Sequence, residues 1–306
     1  MPYNKKAMYL FFSCLIKSSI LSASQQATSP YHQTIEIVGE NIDTLLLKGT
    51  QTIEKYGKRD ANSTNQEKQT LNISYILLNP MNQLHTIGQP ESTQKFCKKL
   101  IAYLKTEASQ SPTSTLDENN NEITPNYGHY IFHQKVAPTN NNQYNWVIEQ
   151  LKKNTDSRKA LININQLSDK TPGKKDASPI LGIQFFIKAN YLSCNISCLH
   201  TNIYTQMPYD IGFFSFVTGL VYKDLKEKLP SPESAKLSLG HVKIAANFSK
   251  MSAQALKASP CAKSALALNM PPIEDPQGVL QDIYNQTAKT KLMLWIYQHA
   301  GIPKPE

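Results

Sequence analysis

Apolar and polar residues follow helical or strand periods along most of the chain between residues 35 and 295. Apolar residues recur on one helical face in several segments, and this spacing predicts helices over 35–56, 95–104, 144–153, 211–229 and a terminal region over 277–295. Alternating stretches rich in Ile, Leu and Tyr predict strands over 69–78, 160–164, 182–188, 191–197 and 241–246. The strands come in pairs without a regular strand–helix–strand repeat. This order favours an α+β fold over a doubly wound sheet.

The first 30 residues differ from the rest of the chain. Lys5 and Lys6 precede an apolar run over 7–16, and small residues follow from Ser18 to Ala23. This pattern is typical of a signal peptide, and the run is too short to span a bilayer as a helix. Because Lys17 interrupts the pattern, an amphipathic first helix is the alternative. Both export and a cytoplasmic location stay open, and no transmembrane span is predicted.

Composition excludes some partners and sites. The formal net charge is +9, but the lysines are scattered over several segments, as is typical of solvated surfaces. No zinc-finger spacing or aromatic RNA-binding motif accompanies the charge, so nucleic acid is not a predicted partner. The five cysteines are unevenly spaced and make a poor disulfide framework. Cys194 and Cys198 share a strand face, but no second ligand pair suggests a metal site.

Four short motifs lie between residues 178 and 211. They are Ser178-Pro179, Gln184-Phe185, Leu192-Ser193-Cys194 and Met207-Pro208-Tyr209-Asp210-Ile211. In this order they resemble the central strands of the thymidylate synthase and deoxycytidylate hydroxymethylase family. Further segments resemble other parts of that family in the right order: Leu71–Asn82, Asn126–Phe132, Trp146–Lys152 and Asp156–Ala160.

The resemblance implies a fold and a reaction. The fold would be a mixed β-sheet packed against helices, forming a homodimer through the sheet. The domains would be a leader over 1–30, the family domain over 31–290 and a C-terminal tail over 291–306. In the family reaction a cysteine thiolate adds to carbon 6 of a pyrimidine nucleotide, and carbon 5 then accepts a one-carbon unit from methylenetetrahydrofolate.

The residues that carry this reaction are replaced here. Pro179 occupies the cysteine position, Leu199 the arginine position and Lys99 the glutamate position. Gln206 stands where the family has a glycine and would crowd the folate. We therefore predict no catalytic residues and no cofactor, with methylenetetrahydrofolate doubtful despite its role in the family.

The positions on the nucleotide side of the family site are better preserved. Six residues are candidates for binding a dCMP- or dUMP-like nucleotide: Arg158, Tyr127, Tyr209, Asp210, Asn202 and His241. The resemblance assigns Arg158 to a phosphate, which a guanidinium can bind through two hydrogen bonds. It assigns Asp210 to the base edge, where a carboxylate accepts from the amino group of cytosine.

Each of three candidates has a structural alternative. Arg158 could pair with Asp156 at a strand end. Tyr209 could pack in the core, and Asp210 could be the N-cap of the helix after Ile211.

Three functions remain open. The first is a pseudoenzyme that has lost one-carbon transfer and retains pyrimidine-nucleotide binding. The second is an active methyl- or hydroxymethyltransferase on a cytidine-type nucleotide with rearranged catalytic groups. Strand alternation places Cys198 and His200 on one face, where they could form a relocated thiolate pair. The third is an exported binding or effector protein on the same scaffold. Replacement of several catalytic groups together favours the first.

Overall fold

A computed structural model of the protein describes residues 34–59, 67–85, 91–105, 127–164, 178–252 and 269–305. The predicted leader over 1–30 lies outside these residues. From Ile35 onward the described residues belong to one compact unit.

Seven described strands form one mixed sheet, which confirms the α+β prediction. The strands are β1 (Ile35–Gly39), β2 (Lys58–Arg59), β3 (Lys68–Leu77), β4 (Leu161–Asn163), β5 (Ile180–Lys188), β6 (Tyr191–Asn202) and β7 (Ser238–Met251). Their order is β1-β3-β7-β6-β5-β4, and β2 pairs with β3 off this path. The pairs β1/β3 and β6/β7 are parallel, and the others are antiparallel.

Helices lie between the strands and after the last one. They are α1 (Ile42–Tyr56), α2 (Glu91–Leu104), α3 (Gln143–Lys153), α4 (Met207–Lys228), α5 (Ser231–Lys236), α6 (Pro276–Asn285) and α7 (Lys291–Ala300), with a π-helical turn over His129–His133. None of the helices in the described ranges combines the length and the apolar run needed to cross a membrane.

The helix predicted over 35–56 is wrong for its first five residues, which form β1. Ile35 and Ile37 alternate with Glu36 and Val38, and this short stretch fits a strand period as well as a helical one. Asn41 then marks the true start of α1, because its side chain accepts a hydrogen bond from the Thr44 amide at 2.8 Å.

The terminal helical region also differs from its prediction. It is two helices, and Gln286 ends the first of them in the left-handed backbone region at φ 53°. The second, α7, lies within the segment expected as a C-terminal tail, and it packs against α2.

α4 is the central element of the core. It is buried almost all round, as expected for a helix with no polar face. On one side it packs against β6 and β7, and on others against α2 and α3. Its amino-terminal turn is therefore enclosed between the sheet and α2.

The three central strands change their buried face at the same row of the sheet. The row contains Asn72 of β3, Asn247 of β7 and Leu199 of β6, as the neighbouring pairs show. All three residues are exposed, and Asn72 has a left-handed backbone at φ 50°. The alternation of buried and exposed side chains slips by one residue at this row. Side chains beyond it therefore point to the face opposite to the one that regular alternation would predict.

Among the described elements, helices cover one face of the sheet and leave the other open. α1 and α4 pack against one face. On the other, which we call the open sheet face, most side chains are exposed or half-exposed. Lys243 and Glu36 form an ion pair of 2.7 Å there.

Candidate functional site

The first turn of α4 holds two of the six candidate residues, Tyr209 and Asp210. Asp210 is buried, and its Oδ1 accepts a hydrogen bond of 2.8 Å from the Tyr103 hydroxyl of α2. The positive end of the helix dipole also favours a carboxylate at this position. These interactions offset part of the cost of burying the group.

The alternative role of Asp210 as an N-cap is wrong. α4 begins at Met207, four residues earlier than predicted, and Gln206 holds the N-cap position. Pro208 in the first turn suits a helix start, because its missing amide proton would have no intrahelical partner there. Asp210 is therefore inside the helix and uses its side chain for Tyr103.

Tyr127 lies in the same buried cluster. Its ring contacts those of Tyr103 and Phe213, with centroid distances of 4.9 and 5.5 Å. Burial raises the pKa of Tyr127, and the nearby charge of Asp210 raises it further. The hydroxyl lies near Ser178 but forms no hydrogen bond of standard geometry with a described residue. The Tyr127 hydroxyl is therefore a polar atom buried in the core, close to Ser178, which precedes Pro179.

Lys99 faces Tyr209 from α2. Its Nζ donates to the Thr205 carbonyl at 2.9 Å and lies 4.6 Å from the centre of the Tyr209 ring. Lys95 approaches the same ring at 5.6 Å. Cation–π interactions at these distances hold the Tyr209 ring against α2. The position expected to hold a proton-managing carboxylate therefore holds a cation bound to a backbone carbonyl.

Pro179 and Leu199 are adjacent across the start of β5. The Pro179 carbonyl accepts a hydrogen bond of 2.7 Å from the Leu199 amide. The structure therefore brings together the two positions that the resemblance assigns to the nucleophile and to its arginine. Neither side chain carries a nucleophile or a charge.

Cys198 is the nearest thiol to this pair. Burial raises the pKa of Cys198, and the charge of Asp210 raises it further. Its Sγ donates to the His200 carbonyl at 3.0 Å. The thiol therefore keeps its proton near neutral pH, which is the opposite of an activated cysteine.

The prediction that Cys198 and His200 share a strand face is wrong. Cys198 is buried and His200 is exposed. The alternation slips at Leu199, between the two residues, so the spacing of two no longer places both side chains on one face.

Asn202 has a local structural role next to the cluster. Its Oδ1 accepts hydrogen bonds from the Tyr204 and Thr205 amides at 3.0 and 3.1 Å. This is an Asx turn, and it directs the chain from β6 into α4. The side chain is therefore committed to the backbone.

Arg158 and His241 lie in other parts of the fold. Arg158 is exposed just before β4 and forms no ion pair with any described residue, so its alternative role as a partner of Asp156 is wrong. His241 lies on the open sheet face, where its Nδ1 is 3.3 Å from the Ser193 Oγ. Burial lowers the pKa of His241, and Lys243 lowers it further.

Sequence reasoning missed Tyr103, which holds Asp210. The signal was present, because Tyr103 lies four residues after Lys99 and therefore on the same helical face. The sequence does not show that α2 packs against the start of α4.

The comparison with known protein families gives no match to any family model. Within the described ranges, no three His, Cys, Asp or Glu side chains are grouped as a metal site would require.

Proposed function

We propose that the protein is a thymidylate synthase/dCMP hydroxymethylase-like pseudoenzyme that has lost one-carbon transfer and binds a pyrimidine nucleotide without reacting with it. The observation that carries this proposal is the pair Pro179 and Leu199, which sit hydrogen-bonded where the family resemblance expects a nucleophile and an arginine. Neither side chain can add to a pyrimidine ring or stabilise a thiolate.

The surrounding groups support the loss of activity. Cys198 is the only thiol described beside the site, and its raised pKa keeps it protonated. Lys99 donates to the Thr205 carbonyl, so the position where the resemblance expects a proton-managing glutamate carries no carboxylate. The second candidate, an active transferase, would need a new nucleophile and a new base together.

Because Arg158 lies apart from Asp210 within one chain, the nucleotide-binding part of the proposal depends on Asp210 of one copy and, as the resemblance implies, on Arg158 of a second copy that reaches the phosphate. The exposed guanidinium of Arg158 has no described ion pair that a phosphate would have to displace. Asp210 would have to exchange its bond with Tyr103 for the amino group of cytosine. The lost bond from the Tyr103 hydroxyl costs about 1 kcal/mol. We therefore expect the protein to bind the nucleotide more weakly than a site whose acceptor is already free.

Thermal melting with dCMP, dUMP and CMP tests the nucleotide proposal. We expect dCMP to raise the melting temperature of the wild-type protein, because ligand binding stabilises the folded state. The Arg158→Ala variant should lose at least tenfold in affinity, because a charged phosphate contact is removed. Arg59→Ala, which removes another exposed arginine, is the control and should bind dCMP normally.

Two further measurements bear on the reaction. With methylenetetrahydrofolate present, we expect no tritium release from carbon 5 of labelled dCMP or dUMP. We also expect no covalent adduct with a 5-fluoropyrimidine nucleotide. Tritium release or an adduct would overturn the loss of activity, and absence of any dCMP shift would overturn nucleotide binding.

We also propose that two copies of the chain pair through the open sheet face. Apolar side chains are exposed there, including Val38 at 37% and Leu199 at 36%. A half-exposed sheet face with such residues can bury apolar area against an identical copy related by a twofold axis.

Sedimentation analysis tests the dimer. The wild-type protein is expected at twice the 34.4 kDa of the chain, and Leu199→Asp should weaken the dimer at least tenfold by burying a charge in the interface. Leu294→Asp on α7 is the matched control, because Leu294 is equally exposed at 39%. A monomeric wild type, or dissociation by the control variant alone, would contradict the proposal.

A further inference from the structure

A groove lies between the outer edge of β1 and helix α1, away from the cluster at the start of α4. It is wide open to solvent and has a volume of about 400 Å³. Glu36 and Val38 contribute the strand side, and Lys48, Lys55 and Tyr56 contribute the helix side. We call it the β1–α1 groove. Its helix residues recur at positions i, i+7 and i+8, so they form one stripe alongside the strand.

β1 is the edge strand of the described sheet. It pairs with β3 on one side, and no described strand pairs with its other side. The Gly39 carbonyl accepts a hydrogen bond from the Leu78 amide at 2.9 Å, so Gly39 and Ile37 direct their backbone groups toward β3. Because these directions alternate in a parallel pair, the backbone groups of Glu36 and Val38 point outward. These groups form a template for an additional strand.

Lys48 occupies part of this edge. Its Nζ donates to the Val38 carbonyl at 2.7 Å, which confirms that this carbonyl points outward. Lysine at a strand edge can protect it from unwanted pairing. An added strand with an acidic side chain would give Lys48 an alternative partner. The Val38 carbonyl could then accept a hydrogen bond from a backbone amide of the added strand.

The charge of the groove is positive. Lys48 and Lys55 are both exposed at its helix side. The one acidic lining residue, Glu36, is neutralised by its 2.7 Å ion pair with Lys243. The ammonium groups of Lys48 and Lys55 thus face the groove without an acidic lining residue left to balance them.

We propose that the β1–α1 groove binds an extended acidic peptide as an additional strand on β1. The peptide backbone pairs with the outward groups of Glu36 and Val38, and its acidic side chains bind Lys48 and Lys55. This is strand addition with charge selection, in which main-chain bonds give affinity and side chains give specificity.

The spacing of the two lysines fits an extended ligand. Lys48 and Lys55 are seven positions apart on α1, which is about 10 Å along the helix axis. Alternate side chains of a strand lie about 7 Å apart, so two acidic residues on one face of a peptide come within reach of both long lysine side chains.

Fluorescence anisotropy with the full-length protein tests this proposal. The probe is a fluorescein-labelled octapeptide of alternating valine and glutamate with blocked ends. The double variant Lys48→Glu/Lys55→Glu should bind it at least tenfold more weakly than the wild type. The matched control Lys98→Glu/Lys152→Glu has the same charge change at exposed lysines on α2 and α3 and should change binding less than twofold.

Peptide methylation separates strand addition from simple charge attraction. In a strand, the amides of the valines and of the glutamates point to opposite edges. A peptide N-methylated at both the valines and the glutamates should therefore bind at least tenfold more weakly than the parent in either strand direction. Hydrogen exchange of the Glu36 and Val38 amides should slow at least tenfold on binding.

Three results would overturn the proposal: no binding of the parent peptide, equal loss in the two double variants, or equal binding of the fully methylated peptide and the parent. Each is independent of nucleotide binding, because the groove shares no residue with the candidate nucleotide site.

Discussion

Replacement of Asp282 by alanine is expected to lower the free energy of unfolding by about 3 kcal/mol. Asp282 is 2% exposed and lies near the end of α6. Its carboxylate accepts hydrogen bonds from the Lys289 and Thr290 amides at 2.9 and 2.8 Å, and from the Thr287 and Thr290 hydroxyls at 2.7 and 2.8 Å. Alanine would leave these donors without their acceptor, and the connection between α6 and α7 would lose its main constraint.

Urea unfolding followed by circular dichroism measures this loss. Asp275→Ala is the matched control, because Asp275 caps the start of the same helix and accepts a single described bond from the Gly278 amide at 2.7 Å. Loss of an N-cap costs about 1 kcal/mol. Asp282→Asn should resemble Asp282→Ala, because an amide nitrogen cannot accept from the Thr290 amide. Equal losses for the Asp275 and Asp282 variants would contradict the expected role.

The difference in free energy of unfolding between the wild type and Asp282→Ala should also depend on pH. Burial acts to raise the pKa of Asp282, but hydrogen bonds from Thr290, Thr287 and Lys289 together hold it below its usual value. With the folded pKa below the unfolded one, the stabilisation is present in full above the unfolded pKa and is lost as pH falls through the folded pKa. The difference between wild type and Asp282→Ala should therefore shrink below about pH 4.

The strands and helices were largely predictable where one period clearly dominates. β5 and α3 follow their predicted ranges within two residues, because their apolar positions fit one period and turn residues bound them. The period is ambiguous over 35–39, where five residues fit both helix and strand. β7 is 14 residues long although only 241–246 was predicted, because the glycine and the polar residues toward its ends (Gly240, Asn247, Ser249 and Lys250) break the apolar alternation by which a strand is recognised.

The arrangement of the candidate site was only partly predictable. The sequence correctly indicates that Pro179 and Leu199 carry no reactive groups, because this depends on residue type alone. It does not reveal that Cys198 and His200 differ in exposure, since the slip at Leu199 depends on three strands changing face in one row. The bond between Tyr103 and Asp210 joins residues 107 positions apart and depends on how α2 packs against α4.

The second large loss of stability is expected where α2 contacts α4. Gly212 is two residues after Asp210, and a Cβ at this position would lie 2.5 Å from Cε2 of Phe96 and 2.8 Å from the Gln83 carbonyl. Only glycine allows α2 to approach so closely. Alanine has the better helix propensity, by about 1 kcal/mol. Overpacking against a backbone carbonyl in a buried site costs up to about 3 kcal/mol, so the steric effect should win.

Gly212→Ala is therefore expected to lower the free energy of unfolding by about 2 kcal/mol. Gly219→Ala in the same helix is the matched control, because the nearest atom to its Cβ would be Cδ1 of Ile273 at an ordinary 3.4 Å. There the gain in helix propensity should dominate and raise stability by about 0.5–1 kcal/mol. Urea unfolding of both variants measures the difference. If Gly212→Ala proves as stable as Gly219→Ala, then α2 is not held against the first turn of α4, and the enclosed setting of Asp210 loses its structural basis.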